Sequence, residues 1–211
     1  MNLSTLKDSS YVVFDLETTG LYADQGDEII EIGAIHVENM EIADTVFHSM
    51  VNPGRLIPAA STAVHGIHDE DVASAPKIEK IIPKFLDFAG NKIWVAQNAR
   101  FDLSFVVTKL KQLQMPLKQT VVVDTIGLSK MLFPYETSHS LDKIMARLGI
   151  PKTGDRHRSV DDSKYTALAL IEFIKLLEKQ EITTLPQIES AFVKVDTVMK
   201  GGKPKTRSLF G

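Results

Sequence analysis

The segment Tyr11-Val12-Val13-Phe14-Asp15 sets four β-favouring apolar residues before one acid and predicts a short strand. Two further strands are read over Glu28–Val37 (EIIEIGAIHV) and Glu41–Val51, and a turn at Glu38 to Met40 joins them as a hairpin. Ser61–Val72 is mixed and reads as short helical turns. After Pro76, the apolar residues Ile78, Ile81, Ile82, Phe85, Leu86 and Ala89 recur at helical spacing. Lys92–Ala96 (KIWVA) is another strand and Phe101–Leu113 an amphipathic helix. Thr120–Val123 is a strand, with Asp124 placed where a helix N-cap belongs. Ser140–Leu148 is helical and stops at Gly149 and Pro151. From Asp161 a long helical pattern runs through Tyr165, Leu168, Ile171 and Leu176 and fades near Gln180.

Thr183, Thr184 and Pro186 mark a boundary, giving a main domain over 1–180 and a C-terminal tail over 181–211. The tail is expected to hold one more helix, Ile188–Met199, and then a flexible, basic Gly/Lys-rich segment. There is no internal repeat. An antiparallel hairpin followed by strand–helix alternation predicts an α/β fold: a mixed central sheet, with parallel strands beside the hairpin, flanked by helices.

Composition narrows the chemistry. The 211 residues are 44% hydrophobic and 24% charged, enough for one sizeable globular domain. The absence of cysteine excludes disulfides, thiolate metal sites and a cysteine nucleophile. A metal must therefore be held by carboxylates and histidines. No apolar stretch reaches membrane-spanning length and no signal peptide is read, so a soluble cytoplasmic protein is expected. The net charge of −3 argues against a protein that grips nucleic acid by charge alone. Cations bound at an acidic site would reverse that field locally.

Three polar clusters interrupt the apolar pattern. Asp15 and Glu17 lie two apart at the end of the first strand, so both side chains project from one face. Acidic pairs at strand ends are also common without a metal. Gln97-Asn98-Ala99-Arg100-Phe101-Asp102 follows a strand and opens a helix, where Asn98 equally suits a cap and Asp102 a first-turn acid. His157-Arg158-Ser159-Val160-Asp161-Asp162 opens the last long helix, where a loop histidine and helix-start acids are the plain reading. The three together form one constellation of carboxylates plus a histidine.

These residues resemble the motifs of the DEDDh (DnaQ-like, RNase H-like) exonucleases. The first motif matches Phe14-Asp15-Leu16-Glu17-Thr18-Thr19-Gly20, the second Asn98-Ala99-Arg100-Phe101-Asp102, the third His157 through Asp162. The segments Val64-His65-Gly66-Ile67 and Ser140-Leu141-Asp142 also match. The resemblance covers about residues 10 to 178 and leans towards the proofreading epsilon subunits of bacterial DNA polymerase III. Two departures stand out. Ser159 replaces the usual small Ala, and Asp161 and Asp162 are adjacent. Family spacing selects Asp162, and consecutive helical residues point about 100° apart, so one acid is left over.

The resemblance implies a 3′→5′ exonuclease that releases nucleoside 5′-monophosphates with two divalent ions, Mg²⁺ or Mn²⁺. Asp15, Glu17, Asp102 and Asp162 are the implied metal ligands and His157 the general base. It also implies substrate contacts: main-chain N–H groups near Thr18 and Gly20, Leu21 as a wedge against the last base, His65 at the 3′ end, and Phe101 and Asn98 beside it. Core packing is the other reading of Leu21 and Phe101, and a turn role that of His65. His36, His48, His68 and His139 are read as surface or structural, and Asp124 as a cap. Ser208-Leu209-Phe210 resembles the peptide that docks replication proteins on the sliding clamp, although Thr206 stands where Gln is usual. A 3′ end of single-stranded or frayed DNA is the implied substrate and a DNA polymerase the implied partner. An RNA exonuclease of the same family, and a replisome adaptor without activity, are the alternatives.

Overall fold

A computed structural model describes residues 5–116, 120–153 and 157–195. One six-stranded sheet forms the centre: β1 (Tyr11–Thr18), β2 (Ile29–Glu38), β3 (Glu41–Met50), β4 (Ile93–Ala96), β5 (Thr120–Asp124) and β6 (Phe192–Val195). The strands lie in the order β3-β2-β1-β4-β5-β6. β1 runs antiparallel to β2, and β2 to β3, which is the expected hairpin. Asn39 and Met40 form its turn, both with positive φ, as a two-residue hairpin loop requires. β1, β4 and β5 run parallel, and β6 closes the edge antiparallel to β5. This is the mixed sheet that the pattern implied, and the RNase H-like form that the resemblance implied.

The helices are α1 (Ala59–His65), α2 (Asp69–Val72), α3 (Ile78–Ala89), α4 (Ala99–Gln112), α5 (Thr125–Leu132), α6 (Leu141–Leu148) and α7 (Ser159–Glu178). Strand alternation divides the core in two. Val12, Phe14 and Leu16 of β1 pack with Phe85 of α3, Trp94 of β4 and Val106 of α4. Tyr11 and Val13 face the other way, against Leu128 of α5 and Phe173 of α7. By the period of two, Asp15 and Glu17 continue the row on the α7 face. The sheet thereby aims two carboxylates at the helix that carries the third motif. Among the described residues no helix is long and apolar enough to cross a membrane.

The C-terminal segment differs from expectation. Instead of one helix over Ile188–Met199, Leu185–Ala191 winds as a tight 3₁₀ segment and Phe192–Val195 becomes β6. Residues 196–199 lie outside the described residues. The reason lies in the partner: β6 satisfies the open edge of β5, pairing from Thr120↔Val195 to Val123↔Phe192.

Candidate active site

β1 delivers the first two acids. A register shift falls between Glu17 and Thr18, so the strand bends immediately after the pair. The following turn is held by its own hydroxyls. Thr18 Oγ1 donates to the Gly20 carbonyl at 2.6 Å, and Thr19 Oγ1 accepts the Glu28 N–H at 2.9 Å. Gly20 has no room for a side chain, because a Cβ there would lie 2.3 Å from the Asp27 carboxylate. That carboxylate takes the Tyr22 N–H at 3.0 Å and fixes the loop. Leu21 is thereby turned outwards, 66% exposed, so core packing does not account for it.

Ser61 Oγ donates to the Thr19 carbonyl at 2.7 Å, pinning α1 beside this turn. His65, the last residue of α1, is buried. Its Nδ1 accepts the Ile67 N–H at 3.0 Å, which assigns the ring proton to Nε2. Nε2 is buried and makes no hydrogen bond of good geometry among the described residues, although the Thr18 main chain acts on the ring. Burial lowers the pKa of this imidazole and favours its neutral form.

The second motif starts with Asn98 in the left-handed region (φ 61°) between β4 and α4. Its side chain is exposed and makes no cap, whereas its N–H donates to Asp124 Oδ1 at 3.1 Å. Asp124 also caps α5 by accepting the Ile126 N–H at 2.9 Å, the cap role expected of it. Asp102, in the first turn of α4, is buried and accepts the Leu16 N–H at 3.2 Å. Burial holds the Asp102 carboxyl well above the usual carboxylate range. The charges of Glu17 and Asp124 push the same way, and its own N–H and that of Leu16 offset part of this. Phe101 is half-buried against the core, its ring centroid 5.2 Å from that of Phe105.

α7 supplies the third motif. His157 stands before its first turn, exposed and at φ 63°, and its N–H donates to Asp162 Oδ2 at 3.2 Å. Asp162 reaches the β1 pair. One carboxylate oxygen each from Asp15, Glu17 and Asp162 lie within 4.8 Å of one another. Asp102 lies outside that set, near enough to feel the charge of Glu17. Asp161 points elsewhere, 3.5 Å from Lys164 Nζ. Adjacent helical positions thus separate the two acids.

Motif reading missed the residue that holds this end of α7. Glu31 of β2 is 1% exposed. It accepts hydrogen bonds from Arg158 Nη2 at 2.9 Å, the Ser159 N–H at 3.0 Å and His48 Nε2 at 2.8 Å. His48, read as a surface or structural residue, is therefore part of the scaffold behind the site. Burial pushes the Glu31 carboxyl up, but the bonds from Arg158, Ser159 and His48 outweigh it and hold it below its ordinary range. The available signal was one acid inside the otherwise apolar run IIEIGAI, since charges are rarely buried unless paired.

The exonuclease family model RNase_T matches residues 12–170. The chain belongs to this exonuclease family. It is 40% identical over 194 residues to a DNA polymerase III subunit epsilon-like protein of Rhodobacter capsulatus, covering 90% of this chain and 27% of that protein. It is 38% identical over 193 residues to a PolC-type DNA polymerase III of Caldanaerobacter subterraneus, covering 92% of this chain and 14% of that protein. The chain thus spans 27% and 14% of the length of these curated relatives. Among solved structures, exonuclease X in complex with 5′ overhanging duplex DNA superposes with a TM-score of 0.68 at 25% identity, covering 85% of this chain and 98% of that one. A 3′-exonuclease recognising the 3′ end of a histone mRNA stem-loop reaches the same TM-score at 18% identity, covering 94% and 74%, which is a likeness of fold.

Proposed function

We propose that this chain is a 3′→5′ exonuclease that hydrolyses DNA from its 3′ end, releasing nucleoside 5′-monophosphates, and serves cytoplasmic DNA proofreading or repair. The convergence of Asp15, Glu17 and Asp162 within 4.8 Å, with the His157 main-chain N–H bonded to Asp162, is the observation that carries it. Like charges that close disfavour one another unless a cation stands between them. All-oxygen donors suit the hard ions Mg²⁺ or Mn²⁺. Asp15, Glu17 and Asp162, with Asp102 beside them, would hold two such ions. Bound there, the pair supplies positive charge to the attacking and leaving oxygens of the phosphodiester.

The protein's own groups do the rest. His157 takes the proton of the attacking water as general base. Its exposure leaves the ring open to solvent on the side where water arrives. His65 offers the buried Nε2–H to the terminal 3′ oxygen, and Leu21 wedges against the last base from its exposed loop. Backbone N–H groups near Thr18 and Gly20 meet the terminal nucleotide, and Phe101 and Asn98 flank it. The DNA polymerase III names of the relatives favour a polymerase as partner and DNA over RNA.

Asp15→Ala and His157→Ala should each remain folded and lose degradation of a 3′-labelled single strand by at least about 100-fold. Wild-type-like degradation by either variant would overturn the assignment. Side-by-side digestion of single-stranded DNA, mismatched duplex and RNA separates DNA proofreading from RNA trimming.

Ser208, Leu209 and Phe210 lie outside the described residues, and clamp docking through them is proposed on sequence. Truncation after Lys205 should abolish retention on an immobilised sliding clamp. Equal retention of both lengths would end the idea.

A further inference from the structure

The two acids of β1 have particular neighbours on β2: Asp15 pairs with Gly33 and Glu17 with Glu31. Both neighbours grip the start of α7. Glu31 takes the Ser159 N–H and the Arg158 guanidinium. Gly33 lets the helix backbone approach so closely that a Cβ there would lie 2.4 Å from the Ser159 carbonyl carbon, and its carbonyl accepts Ser163 Oγ at 3.1 Å. His157 and Asp162 flank Arg158 and Ser159, and Ser163 follows directly after. We infer that Glu31 is a positioning residue for the reaction, fixing His157 and Asp162 in register with Asp15 and Glu17 through Arg158 and the Ser159 N–H.

The chemistry of the contact supports a role beyond packing. A buried carboxylate with three donors is rigid, and charge-assisted bonds are the stronger kind. The donors come from two segments far apart in sequence: β3 through His48, and the start of α7 through the Arg158 side chain and the Ser159 N–H. Glu31 is the common acceptor that aligns them. A catalytic group displaced by about 1 Å can lose about 100-fold in rate. Glu31 touches neither substrate nor reacting atoms, so its effect must travel through His157 and Asp162.

The inference rests on the reading of His157 as base and Asp162 as ligand, and two measurements separate its failure from that of the reading. The first is turnover of thymidine 5′-monophosphate p-nitrophenyl ester, a single phosphodiester, at saturating Mn²⁺ and well below the unfolding midpoint. Glu31→Gln should lower kcat by about 10-fold to 100-fold and leave KM within about twofold. The second needs no activity. In protein labelled with ¹³C-histidine, the His157 ring cross-peak, assigned by its loss in His157→Gln, should move and broaden in Glu31→Gln. The ring of His36, bonded to the Phe88 carbonyl, should not move. An unmoved His157 peak overturns the inference whatever the activity. An unchanged kcat in an active wild-type background overturns it as well. An inactive wild type refutes the exonuclease reading and leaves the His157 peak to decide. Should Glu31→Gln fail to fold, Arg158→Ala breaks the same link from the exposed side and must reproduce both changes, or the inference falls.

Discussion

Asp102 accepts the Leu16 N–H from between the two β1 acids while buried among negative neighbours. Its carboxyl titrates above the usual range, so the ionised form costs the fold free energy at neutral pH. Asp102→Asn keeps an oxygen for the Leu16 N–H and removes the charge. It should raise the stability of the protein, and its Tm, at neutral pH, while exonuclease activity is lost. The sign follows from linkage. The folded pKa lies above the unfolded value, so below the unfolded value of about 3.9 both states are protonated and the variant gains nothing. The gain grows as pH rises towards the folded pKa and is constant above it. Thermal melts at acidic and neutral pH check this; equal Tm differences at both would contradict it. A buried acid among negative neighbours is thus held at the expense of stability.

At the scale of elements, the approach of α7 to β2 decides the geometry. Gly33→Ala would place a methyl against the Ser159–Val160 backbone at 2.4–2.5 Å, which a helix yields to only by moving. Overpacking of this kind costs about 1–3 kcal/mol. A lowered urea midpoint and reduced activity are the expected outcome; an unchanged midpoint would show that the junction is loose. Most elements were legible because their apolar periods were long. β1 and β2 are near-continuous apolar runs rich in β-branched residues, α3 repeats at helical spacing, and Asp15 and Glu17 share a face by the period of two of a strand. What escaped was short or depended on a distant partner. α5 has eight residues with Gly127 inside, a weak helical signal, and was marked only by its N-cap Asp124. Phe192-Val193-Lys194-Val195 is too short for its period to distinguish strand from helix, and the bare edge of β5 made the choice. Glu31 read as one more polar position of a hairpin strand, because its donors are as many as 128 residues away in sequence.

For the whole molecule, the proposed function would require an acidic chain of net charge −3 to accommodate a polyanion. Cations at the Asp15–Glu17–Asp162 cluster would resolve this by replacing repulsion with attraction where phosphate would come close. Binding to the folded state alone also stabilises it, by about 2.7 kcal/mol at 100 times the dissociation constant. Mn²⁺ should therefore raise Tm by about 5–10 °C, and Asp15→Ala should abolish most of that shift. An equal shift in the variant would place the ion elsewhere.

β6 has a practical meaning as well. It follows the last long helix and pairs with β5 along four residues. A fragment cut near residue 180, where the sequence invites a boundary, would strip that strand away and leave β5 as a naked template for other chains. Such a fragment would keep every motif residue and still tend to aggregate, whereas one ending after Val195 would retain a capped sheet.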